Sequence, residues 1–274
     1  MEQADLRSWE RQCTQDDMPK CRAACPLQMD VRPFLERMAH GDMPGARKVL
    51  ERYLPLPGVL GRICEHPCET ACVRQGLGGP LAVGALERAC VSQCPQQTRN
   101  LPRPPKSKKV AVIGDGMAGL VAAWDLSRKA YPVDLFYAGG QPAEDLLAAF
   151  PSLTPEALDG ELESMRKSGV TLIRREPDQA LFQEVKGYDA VFVDVSLAPG
   201  LAPASRDAVD SVTLNVAGGP EHICFGGWPS LDGTGTPVAW AAEGRRAAMT
   251  LERSMTGVSL TASRENEGAS ATRL

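Results

Sequence analysis

Histidine is almost missing from this chain, with three in 274 residues. That scarcity argues against metal sites built on paired histidines. C-x2-C pairs, the usual frame of a structural zinc, do not occur either. An excess of charge of one sign is also lacking. The 30 Lys and Arg stand against 34 Asp and Glu, a net charge of −4, which gives no reason to expect nucleic acid as a partner. No apolar run approaches the roughly 20 residues that a membrane span needs. The opening stretch, MEQADLRSWERQ, is charged from its second residue, has no apolar core and carries no twin-arginine motif, so no secretion signal is expected. The predicted compartment is the cytoplasm, where thiols stay reduced and structural disulfides are disfavoured.

What the chain has is cysteine, and nearly all of it in one place. Eight of nine cysteines lie between Cys13 and Cys94, as C-x7-C-x3-C-P from 13 to 26, C-x3-C-x3-C from 64 to 72, and the pair Cys90 and Cys94. In a reducing compartment such density reads as metal ligation. Iron–sulfur clusters need soft anionic donors converging on a compact core, with a more distant cysteine free to serve a neighbouring cluster. Zinc is the rival, and the x7 and x3 spacings fit it poorly. Two clusters are therefore expected in this stretch. Cys224 stands apart on a predicted strand and reads as a buried structural thiol.

The elements around these cysteines are short. Asp30 is placed to cap a helix in which Val31, Phe34, Leu35 and Met38 share one face. Gly41 ends it, and a second amphipathic helix, MPGARKVLERYL, runs to the breaker Leu54-Pro-Leu-Pro-Gly. A further helix, AVGALERACVSQC, reaches Cys94. Residues 101–109, LPRPPKSKK, have linker composition and mark a boundary.

Beyond the linker, strand 110–113 meets Gly114, Gly116 and Gly119 in a G-x-G-x-x-G fingerprint, followed by a helix over 118–130 and a strand over 133–136. That order opens a dinucleotide-binding fold, whose glycines admit a tight turn, a pyrophosphate and close packing. Helices near 143–149 and 155–168 follow, with strands at 170–173, 190–195, 212–216 and 222–225 and a helix from Val238 to Met255. Residues 197–210 form a Pro/Ala/Asp-rich connection. The tail from 257 has the composition of a segment that stays open. The expected class is α/β. A helical cluster domain spans 1–100, a linker 101–109, a minimal Rossmann-like domain 110–256, and a flexible tail 257–274.

The runs C-x7-C-x3-C-P-L-x-x-D-V-x-x-F, P-x-x-x-x-G-R-I-C-x-H-P-C-E-x-x-C, V-G-A-L-E-R and K-V-A-V-I-G-x-G-x-A-G-L resemble the small subunit of glutamate synthase. The same module resembles the N-terminal part of dihydropyrimidine dehydrogenase and the flavin subunit of bifurcating transhydrogenases. The resemblance covers 13 to about 256 and implies two [4Fe-4S] clusters beside an FAD domain. Carried over, it makes Cys25, Cys64, Cys68 and Glu87 the ligands of one cluster. Cys13, Cys21 and Cys72 belong to the other, whose fourth cysteine is replaced by Asp16. Either Asp16 ligates, or Cys90 or Cys94 substitutes, or the cluster is labile.

For FAD, the resemblance adds Gly226, Gly227, Pro237 and Val238 to the fingerprint glycines. It also exposes departures. Tyr137 stands where a ribose-binding acid is expected, and Trp228 stands where the family has Asp after the two glycines. The inserted NAD(P)H domain is missing, and no second glycine fingerprint is found. The implied function is an electron-transfer subunit with no catalytic residue of its own. It would relay electrons between clusters, FAD and a partner of tungsten, molybdenum, hydrogenase or bifurcating type, or ferredoxin. The alternatives are a free-standing NAD(P)H oxidoreductase and a flavin-less scaffold.

Overall fold

Proline and capping residues cut the first hundred residues into short helices. In the computed structural model, the described residues are Gln3, 18–97, 103–228, 235–264, 267–270 and Thr272. Cys13 and Asp16 lie outside them. Helix α1 is Lys20–Ala24. Asp30 caps α2, Val31–Ala39, through the Arg32 amide. Asp42 caps α3, Met43–Tyr53, through the Gly45 amide at 2.9 Å. Helices α4, Pro57–Ile63, and α5, Pro67–Thr70, each begin at a proline preceded by a residue in the left-handed region. Those residues are Leu56 at φ 47° and His66 at φ 56°. Proline bars its predecessor from the right-handed helical region, so both starts are sharp. A 3-10 turn, Val73–Leu77, leads to α6, Val83–Gln93. Helix α2 packs on α3, and α4 on α6. Phe34, Leu50, Val59 and Leu60 form the buried centre.

The second half is a five-stranded sheet with order β3-β2-β1-β4-β5. The strands are β1, Val110–Ile113, β2, Val133–Tyr137, β3, Val170–Arg174, β4, Ala190–Asp194, and β5, Ile223–Gly226. Every pairing is parallel. The apolar runs of β1 and β4 are buried throughout, as both faces of a parallel sheet require. Helix α7, Met117–Ser127, is buried on almost all sides because α11, Pro237–Thr256, lies over it. Helices α8, Glu144–Ala149, and α9, Pro155–Lys167, fill the path from β2 to β3.

Two expectations need correction, and one helix was not expected. Residues 212–216 are not a strand. Asp210 accepts from the amides of Val212 and Thr213 and from the Thr213 hydroxyl, which bends the segment into a turn. A helix not predicted, α10, Gln179–Val185, sits between β3 and β4, capped by Asp178. The tail after 256 turns back on the fold. Arg264 is 3 % exposed and bonds to Thr250, Leu260 and Arg246. Farther on, Gly268 and Ser270 bond to Gln28 and Ala23 of the helical half.

The two halves share buried polar ties. Glu161 on α9 accepts from the Gly58 amide at the start of α4, at 2.5 Å. Arg47 on α3 lies 3.8 Å from the same carboxylate and 2.9 Å from Glu51. On α11, Arg245 donates to the Tyr53 carbonyl and to Asp125.

Candidate functional site

Cys25, Cys64, Cys68 and Glu87 line one small cavity of about 20 Å³. Each comes from a different turn. Cys25 ends α1, Cys64 ends α4, Cys68 lies in α5 and Glu87 in α6. The rest of the wall is largely apolar and includes Met29, Val31, Leu54, Leu60 and Val238. Burial pushes all three thiols up, Cys68 to about 12, and the nearby Glu87 charge adds to each shift. Two buried thiols and one half-buried thiol, facing a buried carboxylate, are a poor arrangement for protein alone. A cationic core at their centre reverses that balance, because it favours the thiolates. Among the described residues no three such donors close up tightly enough for a single metal ion. A ring of soft donors round an apolar void fits a multi-iron cluster better than one tetrahedral ion.

Glu87 is 3 % exposed, so it is not a solvated helix carboxylate. His66 Nε2 lies 3.2 Å from its Oε2. The His66 ring lies over Gly84, where an added Cβ would come within 2.5 Å of Cε1. The Gly84 amide donates to Glu69 at 2.7 Å, tying α6 to α5. Sequence reasoning gave His66 and Gly84 no role, although C-x-H-P-C and V-G-A-L-E-R contain them. The His66 amide also donates to Cys64 Sγ at 3.3 Å.

Cys21 and Cys72 lie on the neighbouring side, where α1 packs on α5; burial raises the Cys21 pKa, and the nearby Asp30 and Cys72 add smaller shares. Cys13 and Asp16, their expected co-ligands, lie outside the described residues. Cys90 and Cys94 sit elsewhere. Cys90 is buried beside Met43, with Arg47 and Glu51 as its main charged neighbours, and Gln97 donates to Cys94. Cys224 is fully buried in β5, bonded to Asn215 and to the Thr213 carbonyl.

The glycine fingerprint forms the turn expected between β1 and α7, with Gly114 at φ 96°. Its surroundings are less expected. Asp194, at the end of β4, is fully buried against the glycines. Its Oδ2 accepts from the Gly119 amide at 2.9 Å, and its Oδ1 from the Ser196 hydroxyl at 2.6 Å. A Cβ on Gly116 would lie 2.7 Å from Oδ2, and one on Gly227 would collide with Oδ1. Asp115 accepts from the Ala143 amide at 2.6 Å and folds the loop after β2 onto the turn. Gly227 donates to Glu243 on α11, whose other oxygen pairs with Arg206. Pro237 and Val238 start α11, and Val238 reaches the cysteine cavity. A carboxylate thus stands where the fingerprint would receive a diphosphate, and the residues present do not fit one.

Soft donors round a buried cavity, beside a parallel five-stranded sheet, define a redox protein of the iron–sulfur class. Residues 2–99 match the model of dihydropyrimidine dehydrogenase domain II, a 4Fe-4S cluster domain, and this part of the chain belongs to that family. The chain is 32 % identical over 218 residues to NADP(+)-dependent formate dehydrogenase subunit beta of Moorella thermoacetica, covering 69 % of this chain and 30 % of the relative. It is 32 % identical over 190 residues to the NAD-dependent dihydropyrimidine dehydrogenase subunit PreT of Escherichia coli (strain K12), covering 66 % and 46 %. It is 30 % identical over 169 residues to the glutamate synthase [NADPH] small chain of Mycobacterium tuberculosis (strain CDC 1551 / Oshkosh), covering 60 % and 35 %. The chain spans less than half the length of each of these relatives. Among the described residues no helix is long and apolar enough to cross a membrane.

Proposed function

We propose that this chain is the electron-transfer subunit of a larger redox assembly working in a reducing compartment such as the cytoplasm. Its helical part, to about residue 100, would hold two [4Fe-4S] clusters. Cys25, Cys64, Cys68 and Glu87 would ligate one. Cys13, Cys21 and Cys72, with Asp16 as fourth donor, would ligate the other. Such clusters, when bound, supply one-electron transfer at low potential.

The observation that carries this reading is the meeting of three thiols and one buried carboxylate at a single apolar cavity. The chain's own residues have distinct tasks there. The thiols bind. Leu54, Leu60 and Val238 keep water from the cavity. His66 orients Glu87 through the 3.2 Å contact, and Gly84 leaves room for the ring. The relatives are by name subunits of oxidoreductases, and here the partner would be an oxidoreductase carrying the substrate chemistry. The path from β4 to β5 holds only short turns, Pro199–Leu201 and Arg206–Ala208, with no dinucleotide unit of its own. We therefore assign hydride chemistry to the partner.

Iron and acid-labile sulfide in the anaerobically purified protein test the reading. About eight of each per chain are expected. Cys64→Ser or Cys68→Ser should remove one cluster and leave most of the other. Stoichiometric zinc without sulfide would sink it.

A further inference from the structure

We infer that Asp194 acts as a built-in plug of the glycine fingerprint, so that this chain carries a dinucleotide-type domain that does not take FAD. The fold gives a diphosphate one seat, the amides at the start of α7 behind the fingerprint glycines. Here a side chain of the same protein already takes that seat. Helix α7 has no cap from its own Gly116. The acceptor that satisfies the Gly119 amide instead comes from β4, 75 residues away in sequence. A carboxylate at a helix N-terminus satisfies orphan amides and the positive end of the helix dipole together, as a phosphate does.

The second fingerprint glycine normally opens space for a pyrophosphate. Around Gly116 that space is bounded by Asp194 Oδ2, at 2.7 Å from a would-be Cβ, and by Ser196 Oγ at 3.1 Å. Gly227 closes on the same carboxylate from the far side. The plug is held rather than loose, since Ser196 donates to it through both its hydroxyl and its amide. The loop after β2 is held against the same turn. Asp115 pins the Ala143 amide, and Glu144 accepts from Gly140 and Gln141, so the loop after β2 is tied down by acidic groups. A diphosphate entering here would have to displace a bonded carboxylate and sit beside like charge. The departures at Tyr137 and Trp228 point the same way.

This inference stands apart from the cluster assignment, and one set of samples separates the two. The full chain is purified without oxygen, with its partner subunits where they co-purify. Flavin is read from absorbance after denaturation, and added FAD is titrated by fluorescence quenching. Iron and sulfide are counted on the same samples. The wild-type chain should carry no flavin and show no saturable quenching. Asp194→Ala should bind FAD at least about tenfold tighter than wild type. Asp194→Ser, which keeps a short acceptor for Gly119, provides the same test if the alanine variant does not fold. Unchanged cluster content certifies each fold. Stoichiometric FAD in the wild-type chain would overturn the inference. So would a cluster-loaded Asp194→Ala or Asp194→Ser protein that binds FAD no better. A flavin-free wild type without clusters would refute the relay and leave the plug standing.

Discussion

Gly84→Ala offers the sharpest probe of the cluster pocket, because two effects of opposite sign meet at one atom. Alanine in place of glycine favours a helix by up to about 1 kcal/mol. The new Cβ, however, would lie 2.5–2.6 Å from Cε1, Nδ1 and Nε2 of His66. Carbon atoms rest at about 3.5–4 Å, so the ring must move, and overpacking of this kind costs about 1–3 kcal/mol. Gly84→Ala alone should therefore be neutral to destabilising by about 2 kcal/mol. In a His66→Asn background the ring is gone, and asparagine tolerates the left-handed backbone at that position. There the same alanine should stabilise, by up to about 1 kcal/mol. The coupling between the sites is the difference, about 1–3 kcal/mol, which marks residues in direct contact. Thermal unfolding of the four anaerobic proteins at one scan rate reads it, at about 2–4 °C per kcal/mol for a chain near this size. Iron content provides a second readout, since a displaced His66 releases Glu87. A shift of the same sign and size in both backgrounds would refute the stacked arrangement.

Glu161→Ala should cost about 1–3 kcal/mol, because it strands the buried Gly58 amide. Glu161→Gln keeps an acceptor and removes a charge whose pKa burial raises, so it should be near neutral or stabilising; equal melting temperatures for the two variants would contradict the assignment. Burial pushes Asp194 up to about 6 from 3.8. Its folded pKa lies above its unfolded one, so its contribution is most favourable below 3.8 and is lost as pH rises through about 6. Wild type should accordingly gain stability over Asp194→Asn as pH falls across that window, and parallel melting curves would count against it. The isolated chain should oxidise neither NADH nor NADPH with artificial acceptors yet be reduced by dithionite. Saturable nucleotide oxidation by the partner-free chain would restore the free-standing oxidoreductase.

Local periodicity and spacing made much of the fold legible. The faces of α2 and α3, the β1–turn–α7 unit and its parallel β2 all follow from apolar positions and three glycines. The misses share a cause, which is polar bonding that hydropathy does not register. Val212 and Thr213 look like strand residues until Asp210 captures their amides. The tail looks open by composition, yet one guanidinium, Arg264, docks it. The thiols that line the cavity stand out in the sequence because their spacing is specific. His66 was not, since its partners are a glycine and a carboxylate 18 and 21 residues on, and only the fold brings them together. Asp194 sits at the end of an otherwise apolar strand, and nothing within a few residues signals that Gly119 is its partner.

A closed nucleotide seat raises the question of why the sheet is kept, and the cavity wall supplies an answer. Leu54 and Val238 both face the cysteines, one from the end of α3 and the other from the first turn of α11. Neither is positioned by the helical half alone. Arg245 on α11 holds the Tyr53 carbonyl, the last helical residue before Leu54. Glu161 on α9 holds the amide that starts α4, which ends at Cys64. The sheet half therefore braces the cavity at the close of α3, the start of α4 and the start of α11. Solvent access and hydrogen bonding near the sulfurs set the potential of an iron–sulfur cluster. A frame that keeps Val238 and Leu54 in place would act on a cluster held in this cavity whether or not a nucleotide binds behind it. A domain without FAD is compatible with this fold, because the same helix that would meet a flavin at its N-terminus also closes the cavity.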